Sequence, residues 1–385
     1  MSTEDSQPLV ATESKDVTFK LADALREGAD VFDKSYGQMV MEIARSSFGD
    51  GMLTAEEYFW HRLPSLDLDA EELGQFAGRK RAASTNFLCN NMRWVAICAD
   101  KVIFVATLSA MGFPVPEAAA FVHNSRPHRS LPLLRTPNDV AEWLRSDAPY
   151  PIFGKPLGGM QSIGAASLAG YHADTDELED LFGRRFPLQQ MVGELGRFFD
   201  DGYMFQKRLN PHPDIAERCG PALSTLRVLC MHDEEGPEIM DVAFKMTVHG
   251  QVADNFWRGN LLGGVRLEDG KVERVVTRAG TSGKRLAEHP DTGAELVGWH
   301  LPDWDLLTET VKDATAALPG LGLIGWDVAL TDNGPVLVEA NVGGNWSMIQ
   351  LAAARGLWRG RLKAFAKRRH AEWKKKKKTD QLDLG

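Results

Sequence analysis

Asp327, Glu339 and Asn341 lie near the end of the chain in GWDVALTDNGPVLVEANVGGN, residues 325–345. The stretch reads as a β-hairpin, two apolar segments around a Thr-Asp-Asn-Gly-Pro turn. Loop length decides which faces these groups use. A two-residue loop at Asn333-Gly334 sends Asp327 and Glu339 to opposite faces. A three-residue loop, Asp332-Asn333-Gly334, sets them opposite one another, with Gly334 at the left-handed position of a type I turn plus G1 bulge. That register gathers Trp326, Val328, Leu330, Val336, Val338 and Ala340 on one apolar face. Asp327, Glu339 and Asn341 share the other, and this clean segregation favours the second register. Neighbouring carboxylates in a sheet repel and are costly to desolvate without a cation. Their hard oxygens, with the amide's, suit Mg²⁺ or Mn²⁺ better than Zn²⁺. A solvent-facing acidic strand pair with Asn341 as a strand-end cap fits the same residues, and the hairpin alone does not separate the two readings.

Other groups upstream have the chemistry to meet a phosphate. FGKPLGGMQSIGA (153–165) follows an apolar run with Lys155, then Gly158, Gly159, Ser162 and Gly164. Backbone N–H groups of such a loop can cradle phosphate oxygens, although a Gly-rich turn can also be only a turn. It is not a Walker A sequence, because no Gly-Lys-Ser/Thr closes it. Lys101, in CADKVIF, opens a helix and reads equally as a surface lysine lying over an apolar face. Arg227 in STLRVLC and Lys245 in VAFKMTV are single cations inside strand-like runs, where a cation is expensive unless it meets an anion. VADNFWRGNLLGG (252–264) clusters Asp254, Asn255, Arg258 and Asn260 around aromatics and glycines, as a polar loop or a substrate contact.

The elements that must position these groups are legible in outline. The polar residues 1–18 lack periodicity and read as disordered. Helical signals run to about residue 112, with a Thr54…Glu57 capping box and Asp69 as an N-cap. A short strand at AAAFVHN is followed by a helix capped by Thr136 with Pro137 at its first position. Beyond residue 200 strands dominate, then a helix at about 304–317, the hairpin, and a helix from about 346. Helices mixed with mostly antiparallel strands predict an α+β fold rather than a doubly wound sheet.

Bulk properties narrow the class. The chain has 385 residues and globular composition, enough for two or three packed units. Its four cysteines are far apart, without metal-ligand or disulfide spacing. No signal peptide or membrane span is readable, so a soluble, cytoplasmic protein is expected. Net charge is −9, yet residues 355–378 hold twelve Lys/Arg against one Glu, which leaves −20 on the remainder. An acidic body with a basic tail does not fit a general nucleic-acid binder. The tail, with Leu357, Trp358, Leu362, Phe365 and Trp373 as apolar members, reads as a docking helix with a solvated lysine run. Its alternative is peripheral contact with an acidic membrane.

Together these pieces resemble the ATP-grasp superfamily, and most closely the sugar-transfer associated ATP-grasp family. The resemblance is carried by DKVIF…MGFPVP (100–116), GKPLGGMQSIG (154–164), QKRLNPHPDI (206–215), STLRV (224–228), DNFWRGN (254–260), HPDTG (289–293) and residues 325–341. It implies two α+β lobes clasping ATP behind a helical N-terminal region. Lys101 and Lys155 would be the nucleotide-phosphate lysines, and Gly158 to Gly164 the lid. Gln206, Lys207 and Leu209 would form the adenine hinge, where acidic residues are usual at the first two positions. Asp327, Glu339 and Asn341 would hold magnesium, with Glu339 bridging two ions, and Arg227 would steady the transferred phosphoryl group. Lys245 and Arg258 complete the candidate catalytic set. The implied division is 19–100 helical, 101–205 first lobe with lid, 206–354 second lobe with metal site, and 355–385 basic tail. The implied reaction is ATP-dependent joining of a small-molecule carboxylate to an amine through an acyl phosphate, with a sugar-linked or cell-surface precursor as the implied substrate class. A kinase on the same scaffold and a non-catalytic nucleotide-binding partner are the alternatives.

Overall fold

Residues 19–126, 128–158 and 164–382 are described by a computed structural model; the expectation for residues 1–18 lies outside them. Helices fill the chain up to Ala110, as their caps predict. Thr54 and Glu57 form a reciprocal capping box at the start of Ala55–Trp60, and Asp69 accepts from Glu71 and Glu72 at the start of Ala70–Gly74. Met39, Leu53, Tyr58, Phe59, Leu63, Leu73 and Phe76 give this region its own buried core.

Two seven-stranded sheets follow. The first contains β1 (Ala118–Val122), β2 (Leu133–Leu134), β3 (Ile152–Pro156), β4 (Ala166–His172), β5 (Glu177–Asp180), β6 (Arg185–Pro187) and β7 (Tyr203–Lys207), in the order β2-β1-β7-β3-β4-β5-β6. Only the β1–β2 pair is parallel. The second contains β8 (Thr225–Asp233), β9 (Gly236–Met246), β10 (Leu261–Val265), β11 (Val272–Val276), β12 (Arg285–Leu286), β13 (Leu323–Thr331) and β14 (Gly334–Asn341). Its order is β12-β11-β10-β9-β8-β13-β14, antiparallel throughout. The α+β reading is therefore correct. The segment 166–195, for which the sequence offered no clear signal, supplies β4, β5, β6 and helix Leu188–Leu195. The expected lobe boundary at 205/206 falls inside β7.

Strand alternation divides the second sheet between two cores. Val228 and Cys230 of β8 face helix Trp304–Ala316 through Leu307, Val311 and Ala314. Leu229 and Met231 face helix Trp346–Ala353 through Trp346, Ile349 and Leu351. Helix Lys101–Ala110 lies between the sheets. Phe104 and Leu108 are buried with the second sheet, whereas Val102 and Val105 pack on Phe121, Leu157 and Met204 of the first.

The basic tail is a docking helix, Gly360–Leu382, and its apolar members Leu357, Trp358, Leu362 and Phe365 are buried; Trp373 is 42% exposed. Its cations find the body's acids. Arg355 forks onto Asp241 at 2.7 and 2.9 Å, and Arg361 binds Asp233 and Glu238. Arg368 reaches Glu234 at 2.6 Å, and Lys363 and Lys367 both approach Asp50. Among the described residues no helix is long and apolar enough to cross a membrane. The Asp241 side chain is fully buried. Arg355→Ala is therefore expected to lower unfolding free energy by about 3 kcal/mol, because it leaves the buried carboxylate with only the longer contact to Arg359 at 3.8 Å. Urea unfolding of this variant beside Arg355→Met/Asp241→Asn, in which the charge leaves with its partner, checks it; equal losses would refute the ion pair's role.

Candidate functional site

A cleft of about 540 Å³ opens between the two sheets. On the first sheet its wall is a row of residues across three adjacent strands: Ser167 on β4, Phe153 on β3 and Gln206 on β7 stand in register. All three line the cleft, with Leu209 and Arg208 beside them. Ser167 Oγ, Gln206 Oε1 and one guanidinium nitrogen of Arg208 are buried without a hydrogen-bond partner among the described residues. Buried polar atoms are normally satisfied. An aromatic ring flanked by unmet donors and acceptors suits a flat heteroaromatic base. Alternation turns Lys207 the other way, onto Glu117 at 2.8 Å, so its side chain leaves the cleft, contrary to its expected part in the hinge.

Further along β3, Lys155 points into the cleft and is 8% exposed; its Nζ lies 3.5 Å from the Val338 carbonyl. Lys101, also 8% exposed, donates to the Leu157 carbonyl at 3.2 Å, which excludes the surface-lysine reading. It gets there because Asp100 caps its helix by accepting from Val102 and Ile103. Burial lowers the Lys155 pKa to about 8; Lys101 adds to this, against the pull of Glu339 and Asp327. Five cations (Lys101, Lys155, Arg208, Arg227, Lys245) face three carboxylates (Asp254, Asp327, Glu339) along the cleft, so an acidic chain presents a net positive interior here.

The opposite wall is the hairpin β13–β14. Asp327 stands opposite Glu339 and Gly325 opposite Asn341, the register that parity favours. Nearer the turn the pairing differs. Thr331 pairs with Gly334, leaving Asp332-Asn333 at the tip, and a bulge between Asp327 and Val328 makes up the missing residue. The three-residue loop is thus corrected, and so are the faces. Leu337 enters the core with Trp326, Val328, Leu330 and Ala340, while Val338 lines the cleft. Parity counted from a turn fails across a bulge, because the extra residue inverts every side chain beyond it.

A row of charges runs across the strands: Arg227 on β8, Asp327 on β13 and Glu339 on β14 are successive partners. Arg227 grips Asp327 through Nε at 2.6 Å and Nη2 at 2.9 Å. Lys245 bridges Asp327 at 3.3 Å and Asp254 at 3.4 Å. Asp254 also accepts from the backbone and hydroxyl of Thr225. Burial opposes the charge on Asp327, but Arg227 and then Lys245 outweigh it and hold that carboxyl well below its ordinary range. Burial instead raises Asp254, against the pull of Lys245. The expected metal set therefore divides. Asp327 is engaged by two cations. Glu339 has no hydrogen bond or ion pair among the described residues, and the Asn341 amide nitrogen is buried without a partner. A half-buried, unpaired carboxylate suits a hard divalent cation, which Asn341 can join through its amide oxygen; its unmet nitrogen is a donor and suits an anionic oxygen instead.

Other expected residues lie elsewhere. Arg258 is half-buried but does not line the cleft; its carbonyl accepts from Gln251. His289 and Asp291 of HPDTG brace the segment after β9, through the Thr247 carbonyl and His249. Gly158 is exposed. Gly164 has φ of +87°, and a Cβ there would meet Pro156 and Phe198 at 2.5–2.6 Å, so this end of the expected lid requires glycine. Gly159 and Ser162 lie outside the described residues. Sequence reasoning missed Phe153 and Ser167 as wall residues, while Arg208 falls within the expected hinge, Gln206 to Leu209. Alternation from Lys155 and Gln206 points to Phe153 and Arg208; Ser167 carries no such signal.

Residues 194–367 match the family model described as sugar-transfer associated ATP-grasp. The matched span holds β7, the whole second sheet and the first turns of the tail helix; Lys101, Lys155 and the Gly-rich loop precede it. No curated protein matches the sequence. Among solved structures, the chain is similar to the D-alanine-D-alanine ligase from Coxiella burnetii, at 13% identity and TM-score 0.41 over 77% of this chain and 64% of that one. It is similar to an ATP-grasp ligase, PsnB, complexed with minimal precursor, at 14% identity and TM-score 0.38 over 74% and 63%. N5-carboxyaminoimidazole synthase from Aspergillus clavatus, in complex with ADP and 5-aminoimidazole ribonucleotide, matches at 12% and 0.39 over 87% and 72%. The chain spans less than two thirds of the length of the first two. Likenesses this distant carry no argument about substrate or mechanism.

Lys155 binds an anion best when charged, and an incoming phosphate raises its pKa from about 8. Nucleotide binding near pH 8 is therefore expected to take up protons, and affinity to fall as pH rises through that value. Calorimetry of ADP binding in buffers of different ionisation enthalpy measures the uptake. Uptake undiminished in Lys155→Met would refute the assignment.

Proposed function

We propose that the chain is an ATP-dependent carboxylate–amine ligase. The observation that supports this best is a cleft with a base-sized wall at one end, two buried lysines beside it, and an unpaired Glu339–Asn341 edge facing them. The family match over residues 194–367 agrees with ATP as the nucleotide.

In this reading Phe153, Ser167 and Gln206 seat the base, and Leu209 closes its apolar side. Lys101 and Lys155 draw the terminal phosphates toward β14 and offset their charge. A carboxylate oxygen of the first substrate attacks the γ-phosphorus while the bond to ADP breaks, giving an acyl phosphate. An amine then attacks the carbonyl carbon, phosphate departs with the C–O electron pair, and the amine's proton is lost to solvent. Arg227 and Lys245, held by Asp327 and Asp254, present fixed positive charge where the phosphoryl group moves, without reorganisation at the moment of reaction. Magnesium or manganese held by Glu339 and Asn341, with Asp327 adjoining, would supply further charge compensation for the phosphoryl group. A cleft shut from water protects an acyl phosphate, which water would otherwise consume.

The words sugar-transfer associated in the family description suit a sugar-linked precursor as one of the two partners. The run Lys374–Lys378, beyond the docked part of the tail, would suit peripheral contact with an acidic membrane. Liposome sedimentation with and without residues 374–385 tests that contact, and identical sedimentation would dismiss it.

The central test is ADP release across a panel of carboxylates and amines. ADP and free phosphate are expected only when both partners are present. Glu339→Gln is expected to lower kcat/KM by about 10²–10³, the usual scale for losing one preorganised electrostatic contact in a closed site. Phosphate retained on a hydroxyl acceptor would replace the ligase with a kinase. Undiminished turnover in Glu339→Gln would remove the metal role of β14.

A further inference from the structure

Outside the cleft and the basic tail, the acidic body carries a local concentration of positive charge. Residues 274–285, RVVTRAGTSGKR, contain Arg274, Arg278, Lys284 and Arg285 and no acid. The fold adds Arg62 from the N-terminal helical region. Val276 of β11 pairs with Arg285 of β12, so Arg274, two residues from Val276, lies on the same face as Arg285 and diagonally next to it. Arg62 enters from the other side. Its Nη1 donates to the carbonyls of Gly280 at 2.6 Å and Thr281 at 3.4 Å, and its guanidinium lies 5.1 Å from the Phe32 ring centre. A Cβ on Gly283 would come within 2.9 Å of that guanidinium, so glycine keeps the approach open.

Three arginines brought together without acids are unusual, because each loses hydration and repels the others. Among the described residues Arg62, Arg274 and Arg285 have no ion pair, and Arg274 Nε is buried with no hydrogen-bond partner. Two acids near these segments are committed elsewhere: Glu27 accepts from Thr281, and Glu273 approaches Arg266 at 3.9 Å. Burial, with Arg285 and Arg62 adding to it, lowers the Arg274 pKa to about 10, which still leaves it charged at neutral pH.

We infer that Arg62, Arg274 and Arg285 form a second anion site that binds a phosphoryl or pyrophosphoryl oxyanion. None of the three lines the nucleotide cleft, so the site is separate from the one that holds ATP in the proposed function. It adjoins that cleft through a short chain of contacts. The Gly280 N–H donates to the Trp60 carbonyl, Trp60 stacks on Trp257 at 4.9 Å, and Trp257 lines the cleft. A substrate carrying a phosphate away from its reacting group would span from one to the other. Guanidinium groups in a cluster match phosphate oxygens in geometry as well as charge. Arg62 is 8% exposed and recessed under the N-terminal region, which suits a discrete phosphate group and not the flat face of a membrane.

Inorganic pyrophosphate titrated into the full chain by calorimetry at low salt tests the site. Binding is expected to weaken at least ten-fold in Arg274→Gln and in Arg285→Gln, and to persist in Lys155→Met, which reports on the cleft alone. Arg285 is exposed, so its variant keeps the test valid if Arg274→Gln fails to fold. Loss in Lys155→Met with none in the arginine variants would overturn the second site and leave the cleft as the binder. Absence of pyrophosphate binding in the wild-type chain would also overturn it. So would binding to phosphatidylglycerol vesicles, in place of pyrophosphate, that disappears in Arg285→Gln. Because the Lys155 and arginine arms are read separately, failure here leaves the ligase reading standing.

Discussion

The side chain of Asp327 is a carboxylate inside a sheet, flanked by strands on both sides, and the site is arranged around its charge. A buried anion is tolerable only where cations are fixed against it. Arg227 therefore sits directly across on β8 and Lys245 reaches over from β9. Lys245 then requires Asp254, and Asp254 requires Thr225. The partners come from β8 (Arg227 and Thr225), β9 (Lys245) and the loop after β9 (Asp254), so the network also fixes how those strands lie in register. Glu339, next in the row, remains as the carboxylate that the network leaves unmatched.

Charge is distributed by the fold rather than spread evenly. The basic tail returns positive residues to the body: the helix to Asp50, Asp233, Glu234 and Glu238, and Arg355 just before it to Asp241. That neutralises part of an acidic body which would otherwise repel a nucleotide. Within the described body, the cleft and the Arg62–Arg274–Arg285 cluster are then two places where positive charge is held without equal compensation. Neither could be located from net charge, which is negative for the whole chain.

Local chemistry was legible in the sequence, and geometry over distance was not. Caps at Thr54, Asp69 and Thr136 are short-range signals, and each marks a real helix start. The opposition of Asp327 and Glu339 followed from parity, yet the reasoning assumed an unbroken ladder, and the bulge moved Val338 and Leu337 to faces it did not assign. Burial of Lys101 depends on a helix lying between two sheets, which no window of sequence contains. The same holds for Arg62, more than two hundred residues from the segment it joins. Lys207 and Arg258 have the right chemistry but the wrong direction, because strand alternation and loop path decide where a side chain points.

The helix Lys101–Ala110 gives the cleft a mechanical property. Phe104 and Leu108 tie it to one sheet, Val102 ties it to the other, and Val105 touches both. The sheets cannot part or slide without stripping apolar contact from one of these two seams, at about 25 cal/mol for each Å² uncovered. Lys101 rides at the end of this wedge. The width of the gap and the position of its ammonium group are thus a single coordinate, so a ligand that pulls on the lysine also pulls on the spacing of the walls.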